Sequence, residues 1–224
     1  METQIVTSQD LEPAEPSARD EALVLVVDDD AMLRSALGNL FRSVGMNVAL
    51  FGSAAELLEY QMPDVPCCLV LDVRLRGPSG LDLQARLGQL GIHVPIIFMT
   101  GHGDIAMTVA AMKAGAEDFM AKPFRDQDLL DAVSAALEKD QRRREGMRRT
   151  QMLRASLQTL TPRESEVMAL AVSGLMNKQI AGEMGISEVT VKIHRGQAMR
   201  KMKARTFADL VLMAQRLGVC HAEH

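Results

Sequence analysis

Between residues 23 and 121, short apolar runs alternate with longer segments of helical period. The runs are LVLVVD (23–28), MNVALF (46–51), CLVLD (68–72), PIIFM (95–99) and EDFMA (117–121). Between and after them, apolar residues recur every three to four positions near 31–44, 53–60, 80–90, 104–114 and 126–138, the spacing of helices with one buried face. Strands that are apolar at nearly every position are covered on both sides, and single helices between them make the connections parallel. Gly45, Gly91 and Gly115 stand where helices should stop before the next strand. The pattern predicts an α/β fold, a doubly wound five-stranded parallel sheet, over residues 21–138. Residues 1–20 are rich in Pro, Glu, Ser and Asp and read as a flexible tail.

After 138 the strand signal disappears. Residues 139–158 form a strongly basic stretch, expected to be a helical linker in which Gly146 weakens continuity. Its RRREGMRR run (142–149) suits a solvated linker better than a nucleic-acid contact. Residues 159–224 read as short helices. In TPRE (161–164), Thr161 caps, Pro162 suits the first helical position and Glu164 closes a capping box. Asn177 is the expected cap of a second helix ending at Gly185. Ser187 is the expected cap of a third over 188–204, and TFAD (206–209) starts a fourth that ends at Gly218. Two helices joined by the tight GIS turn (185–187) predict a small all-α helix-turn-helix domain.

Charge sharpens this division. Residues 1–138 carry 9 Lys and Arg against 21 Asp and Glu, whereas 139–224 carry 16 against 8, giving formal charges of −12 and +8. An acidic half suited to cations is thus joined to a basic half suited to an anionic partner. Cys67, Cys68 and Cys220 have neither disulfide nor metal spacing, which points to a reducing compartment, and the adjacent pair reads as core filler. With no signal-peptide pattern and no spanning apolar run, the expectation is a cytoplasmic protein with no membrane partner.

The candidate chemistry lies at strand ends, where doubly wound sheets bind ligands. The first strand delivers Asp28 and Asp29, the third Asp72, the fourth Thr100 and the fifth Lys122. In the strand order 2-1-3-4-5 these side chains would converge. Clustered carboxylates raise one another's pKa unless a cation is present. An all-oxygen ligand set beside a lysine suits Mg²⁺ and phosphoryl transfer, with a carboxylate as nucleophile. A lone DDD is as often a solvated turn, but matched residues on four strand ends favour a site.

VVDDDAMLRSAL, LVLDVRLRGPSGLDL and IIFMTGHGDIAMTVAAMKAGAEDFMAKPF resemble the receiver domain of bacterial two-component response regulators, a flavodoxin-like fold. The resemblance implies that Asp72 is the phosphoacceptor and that Asp28, Asp29, Asp72 and the Arg74 carbonyl hold Mg²⁺. Lys122 would pair with the phosphoryl group and Thr100 would hydrogen-bond it. Phe119 falls at the aromatic switch position, although a plain core Phe fits equally. Asp30 is expected to start the first helix instead of joining the site. The family usually has Met-Pro after Asp-x-x; here the loop is LRGPSG (75–80), with Arg76 at the Pro position, which would loosen the loop.

LTPRE, NKQIA and TVKIHR resemble the LuxR-type output domain, so the whole chain is similar to response regulators of the FixJ/NarL class. This implies that Lys192 and Ile193 of a recognition helix point into the major groove of DNA, with Thr190, His194 and Arg195 as further candidate contacts on that helix; its Arg200, Lys201 and Lys203 add phosphate-binding charge, and Lys178, near the start of the preceding helix, is a candidate phosphate contact. Phe207, Leu210, Val211 and Ala214 lie on one side of the last helix and suit either a dimer contact or core packing. The expected partners are a histidine kinase, double-stranded promoter DNA, RNA polymerase and a second copy of the chain after phosphorylation. The expected role is a transcriptional regulator, not an enzyme, that assists its own phosphorylation and dephosphorylation. An aspartyl phosphatase would require a hydroxyl residue soon after an Asp-x-Asp motif, where DDDAM has Ala31 and Met32. An output domain that binds RNA or protein is the other alternative.

Overall fold

A computed structural model describes residues 22–101 and 105–219; the expected tail, Cys220 and the start of the 104–114 segment lie outside the described residues. Five strands, β1 (Leu23–Val27), β2 (Asn47–Phe51), β3 (Cys67–Asp72), β4 (Ile96–Thr100) and β5 (Asp118–Ala121), form one parallel sheet in the order β2-β1-β3-β4-β5. The connecting helices are α1 (Ala31–Ser43), α2 (Ala54–Glu59), α3 (Gly80–Gln89) and α4 (Ile105–Lys113), and α5 (Asp126–Gln158) follows β5.

Alternation along the strands divides the core in two. Leu25, Val27, Leu69, Leu71 and Phe98 point to one face and pack with Leu57, Leu83, Leu87 and Ala111 from α2, α3 and α4. Val24, Val26, Val70, Ile97 and Met99 point to the other and meet Leu37, Phe41, Leu129 and Val133 from α1 and α5. Cys67 and Cys68 are adjacent, so they face opposite layers; both are buried free thiols. Burial pushes the Cys68 thiol up, so it behaves as inert filler. Full burial of a Leu or Phe side chain stabilises by about 1.5–3 kcal/mol, which makes these two layers the main source of the unit's stability.

The first compact unit extends to Arg144, six residues beyond the expected end at 138. The physical reason is Asp140, which is fully buried. Its carboxylate accepts from the Cys67 amide (3.0 Å), from Arg143 Nη2 (2.6 Å) and from Arg144 Nε (2.6 Å). Asp140 therefore fastens this part of α5 to the start of β3. The helix does not stop at 138 but continues through Gly146 to Gln158. A helical glycine costs about 1 kcal/mol, offset by ion pairs one turn apart such as Glu138–Arg142 and Asp140–Arg144.

The second unit contains residues 145–219 of the described chain: the end of α5 followed by α6 (Pro162–Val172), α7 (Asn177–Met184), α8 (Glu188–Lys201) and α9 (Phe207–Leu217). Thr161 and Thr206 close capping boxes with Glu164 and Asp209, and Ser187 caps α8, as their spacing predicts. Gly185 ends α7 at φ 65°, in the left-handed region that glycine enters without steric cost. Two details differ from expectation. Asn177 is the first helical residue and not the cap, because the Gln179 side chain already accepts the Met176 amide. The helix after Ser187 ends at Lys201, not 204, where the amides of Lys203 and Ala204 turn back to the carbonyls of Arg200 and Met199. Among the described residues, no helix is long and apolar enough to cross a membrane.

Candidate functional site

The carboxyl ends of β1, β3, β4 and β5 bring Asp28, Asp29, Asp72, Thr100 and Lys122 into one crevice. Asp28 follows β1 and is fully buried. Its Oδ1 accepts the Asp30 amide at 2.8 Å and its Oδ2 accepts Lys122 Nζ at 2.9 Å. Asp72 ends β3 and retains 9% exposure. Its Oδ1 accepts the Arg74 amide at 2.9 Å and its Oδ2 accepts the same Lys122 Nζ at 2.7 Å. Lys122 is held by its own amide, which donates to the Thr100 carbonyl at 2.6 Å. Thr100 is fully buried at the end of β4.

Asp28, Asp29 and Asp72 each offer an oxygen, and the three oxygens lie within 4.8 Å of one another. Burial raises the Asp28 carboxyl above the ordinary value, and its bonds to Lys122 and the Asp30 amide only partly oppose this. Burial by itself would lower the Lys122 ammonium, but its bonds to Asp72 and Asp28 outweigh that effect and hold it above the usual lysine value. One cation is thus shared by two carboxylates at bonding distance, while Asp29 is the most open of the three acids. The donor set is entirely oxygen and carries excess negative charge, which fits a hard divalent cation.

Asp30 does not belong to the cluster. Its side chain caps α1 by accepting the amides of Leu33 and Met32, bonds that hold its carboxyl below the ordinary range. Phe119 is half-buried on β5, and its ring lies 6.4 Å from that of Phe98. Three neighbours of the site carried no clear sequence signal of their roles. Arg34 donates to the Asp28 carbonyl at 2.6 Å. Arg76 donates Nε–H to Asp29 Oδ2 at 2.9 Å. Gly80 lies so close to β3 that a Cβ there would meet the Asp72 carbonyl oxygen at 2.5 Å. The LRGPSG departure marks Arg76 as unusual, but only the fold supplies its partner.

In the second unit the candidate interface residues separate into two groups. Lys178 on α7 and Lys192 and Ile193 on α8 are exposed, as is Val189. Thr190 is half-buried, with its hydroxyl 2.9 Å from that of Ser187, and His194 is half-buried. Arg195 points inward, donating to Asn177 Oδ1 at 3.1 Å and stacking 4.0 Å above the Phe207 ring. Lys201 is likewise a strut, bonded to Glu164 at 2.6 Å and to the Thr159 carbonyl at 3.0 Å; its bond holds the Glu164 carboxyl below the ordinary range. Of the two roles left open for α9, dimer contact and core packing, the structure rules out the dimer contact for Leu210 and Ala214. Leu210 and Ala214 are fully buried beside Met168, Ala198 and Met202, so they belong to the unit's core. Phe207 and Val211 are half-buried, and Leu212 is an exposed large apolar residue of α9.

Comparison with known proteins gives the same two parts. Residues 24–134 match the family described as response regulator receiver domain, and residues 158–214 match bacterial regulatory proteins of the luxR family. The chain is 59% identical to nodulation protein W of Bradyrhizobium diazoefficiens, over 90% of this chain and 89% of that protein. It is 43% identical to transcriptional regulatory protein FixJ of Azorhizobium caulinodans, over 89% and 95%. The solved structure of response regulator StyR matches with a TM-score of 0.80 and 47% identity, over 88% of this chain and 99% of that one.

Proposed function

Because this chain belongs to the response regulators that join a receiver domain to a LuxR-type DNA-binding domain, we propose that Asp72 is its phosphoacceptor and that phosphorylation there controls promoter binding through α8. The observation that carries this reading is Lys122 Nζ, bonded to both Asp28 and Asp72 beside a third carboxylate, Asp29. Of the two acids on Lys122, Asp28 has no exposed surface and Asp72 keeps some. Asp72 is therefore the one that an incoming phosphoryl donor reaches.

The donor is a phosphohistidine of a partner kinase. An Asp72 carboxylate oxygen attacks phosphorus in line; the P–N bond breaks as the O–P bond forms, and the departing imidazole keeps the electron pair and takes up a proton. Asp28, Asp29, Asp72 and the Arg74 carbonyl would hold Mg²⁺, which when bound supplies positive charge for the transferring phosphoryl oxygens. Lys122 offers its ammonium to one such oxygen, and the Thr100 hydroxyl offers a hydrogen bond. The new charge shifts the receiver's population toward the state in which Thr100 and Phe119 are rearranged around it, because it interacts more strongly with that state. The same site assists hydrolysis of the acyl phosphate, which resets a regulator and makes no turnover enzyme.

At the output end, Lys192 and Ile193 meet base edges in the major groove, with Lys178, Thr190 and His194 contributing nearby contacts. Arg195 acts mainly by holding α8 against α7 and Phe207. Residues 139–158 transmit the change between the units, and the half-exposed Phe207 and Val211 remain the dimer candidates on α9. The working form is a cytoplasmic homodimer that engages RNA polymerase at a promoter. Labelling with acetyl phosphate or a phosphorylated kinase, followed by genome-wide recovery of bound duplex DNA, tests both ends. Wild type is expected to label and to gain bound sites on labelling, whereas Asp72→Asn should do neither. Equal labelling of Asp72→Asn would refute the assignment.

A further inference from the structure

Lys122 accounts for two of the three clustered carboxylates, and the third has a cation of its own. Arg76, four residues beyond Asp72, reaches back so that its Nε lies 2.9 Å from Asp29 Oδ2. It occupies a loop position at which the family pattern has proline, a residue that carries no charge. Counting only the side chains paired directly, three carboxylates and the two cations bonded to them sum to one net negative charge. Without Arg76 that net charge would be two. The Arg76 side chain is 90% exposed and Asp29 23% exposed, so water screens their attraction and burial adds little to it. Such a pair opens readily.

We propose that Arg76 is a tethered counter-cation that competes with a divalent cation for Asp29. Metal enters fully only as the Arg76–Asp29 pair opens, and this chain therefore needs more Mg²⁺ than a receiver with an uncharged residue in that place. The inference rests on the reading of Asp28, Asp29 and Asp72 as the metal-binding carboxylates. Its physical basis is the shared ligand: the guanidinium and the metal both draw on the charge of one carboxylate that can serve either fully but not both. The opposite role, in which Arg76 orients Asp29 for the metal, predicts the opposite sign on removing it.

The test is a Mg²⁺ titration of the full chain, freed of metal beforehand and followed by the amide NMR shifts of residues 28–30. Exposed ion pairs shift equilibria by up to roughly fivefold, so Arg76→Ala should bind Mg²⁺ about two- to fivefold more tightly than wild type. The gain should shrink in 0.5 M KCl, where charges are screened within a few Å. Arg125→Ala removes an exposed cation paired with Asp128 and not with the site, and it should bind like wild type. Equal or weaker binding by Arg76→Ala would overturn the proposal, as would an equal gain in Arg125→Ala, which would mark a bulk charge effect. If neither wild type nor Arg76→Ala bound Mg²⁺ at all, the metal-site reading itself would fall first.

Discussion

Replacing Lys122 by methionine removes the one ammonium that two carboxylates share while keeping most of the side chain's volume. Asp28 is fully buried, so in the variant it keeps only the Asp30 amide at 2.8 Å as a partner from the bonds described above. Deleting one partner of a buried ion pair costs roughly 3–5 kcal/mol. The Lys122 side chain is 21% exposed, so water can enter and the lower end, about 3 kcal/mol, is expected at neutral pH. For a unit of this size that corresponds to a fall in Tm of roughly 10 °C.

The loss should depend on pH with a definite sign. Burial already raises the Asp28 carboxyl in the folded protein, and without Lys122 it rises further. An acid whose folded pKa exceeds its unfolded pKa destabilises the fold above that pKa, and the penalty is relieved as protons bind. The deficit of Lys122→Met relative to wild type should therefore narrow from pH 8 to pH 5. Scanning calorimetry of the full chain measures it, with the transition of the output unit as an internal reference. Added Mg²⁺ should recover more stability in the variant than in wild type, since it replaces the missing positive charge. A variant as stable as wild type at pH 8, or a deficit that widens toward pH 5, would refute the account.

Three further predictions concern the output unit. Lys192→Ala should leave its Tm unchanged, weaken duplex binding and lower the slope of log affinity against log salt by about 1. Arg195→Ala should instead lower Tm by the loss of its stacking on Phe207 and its bond to Asn177, about 1–2 kcal/mol; gel-shift and melting measurements on both variants separate the roles. Leu210→Ala should cost about 2–5 kcal/mol of output-unit stability by calorimetry, whereas a residue serving only a dimer contact would leave the monomer's Tm unaltered.

The residues that chain pattern alone located are those governed by neighbours in sequence. Strand period and helix period fixed the α/β unit. Thr-x-x-acid spacing fixed the starts of α6 and α9, and Asp30 was expected to start α1, where the structure makes it the cap of amides two and three residues on, those of Met32 and Leu33. The chemical identities at the strand ends also sufficed to assemble Asp28, Asp72 and Lys122, since parallel strands deliver their ends to one edge. What remained hidden depends on residues far apart in the chain. Lys201 is a strut because Glu164 lies opposite it, 37 positions away. Arg195 turns inward to Asn177 and Phe207, whereas Lys192 on the same helix faces water, and a helix polar on all sides does not disclose which of its cations will be used internally. Leu210 and Ala214 are core because α6 and α8 cover them, and Asp140 ends the first unit at Arg144 because it caps the Cys67 amide across 73 residues. Local sequence sets backbone hydrogen bonding and capping, which act over one turn; the face a side chain turns to the core is set by which elements meet, and that is decided only when the chain is folded.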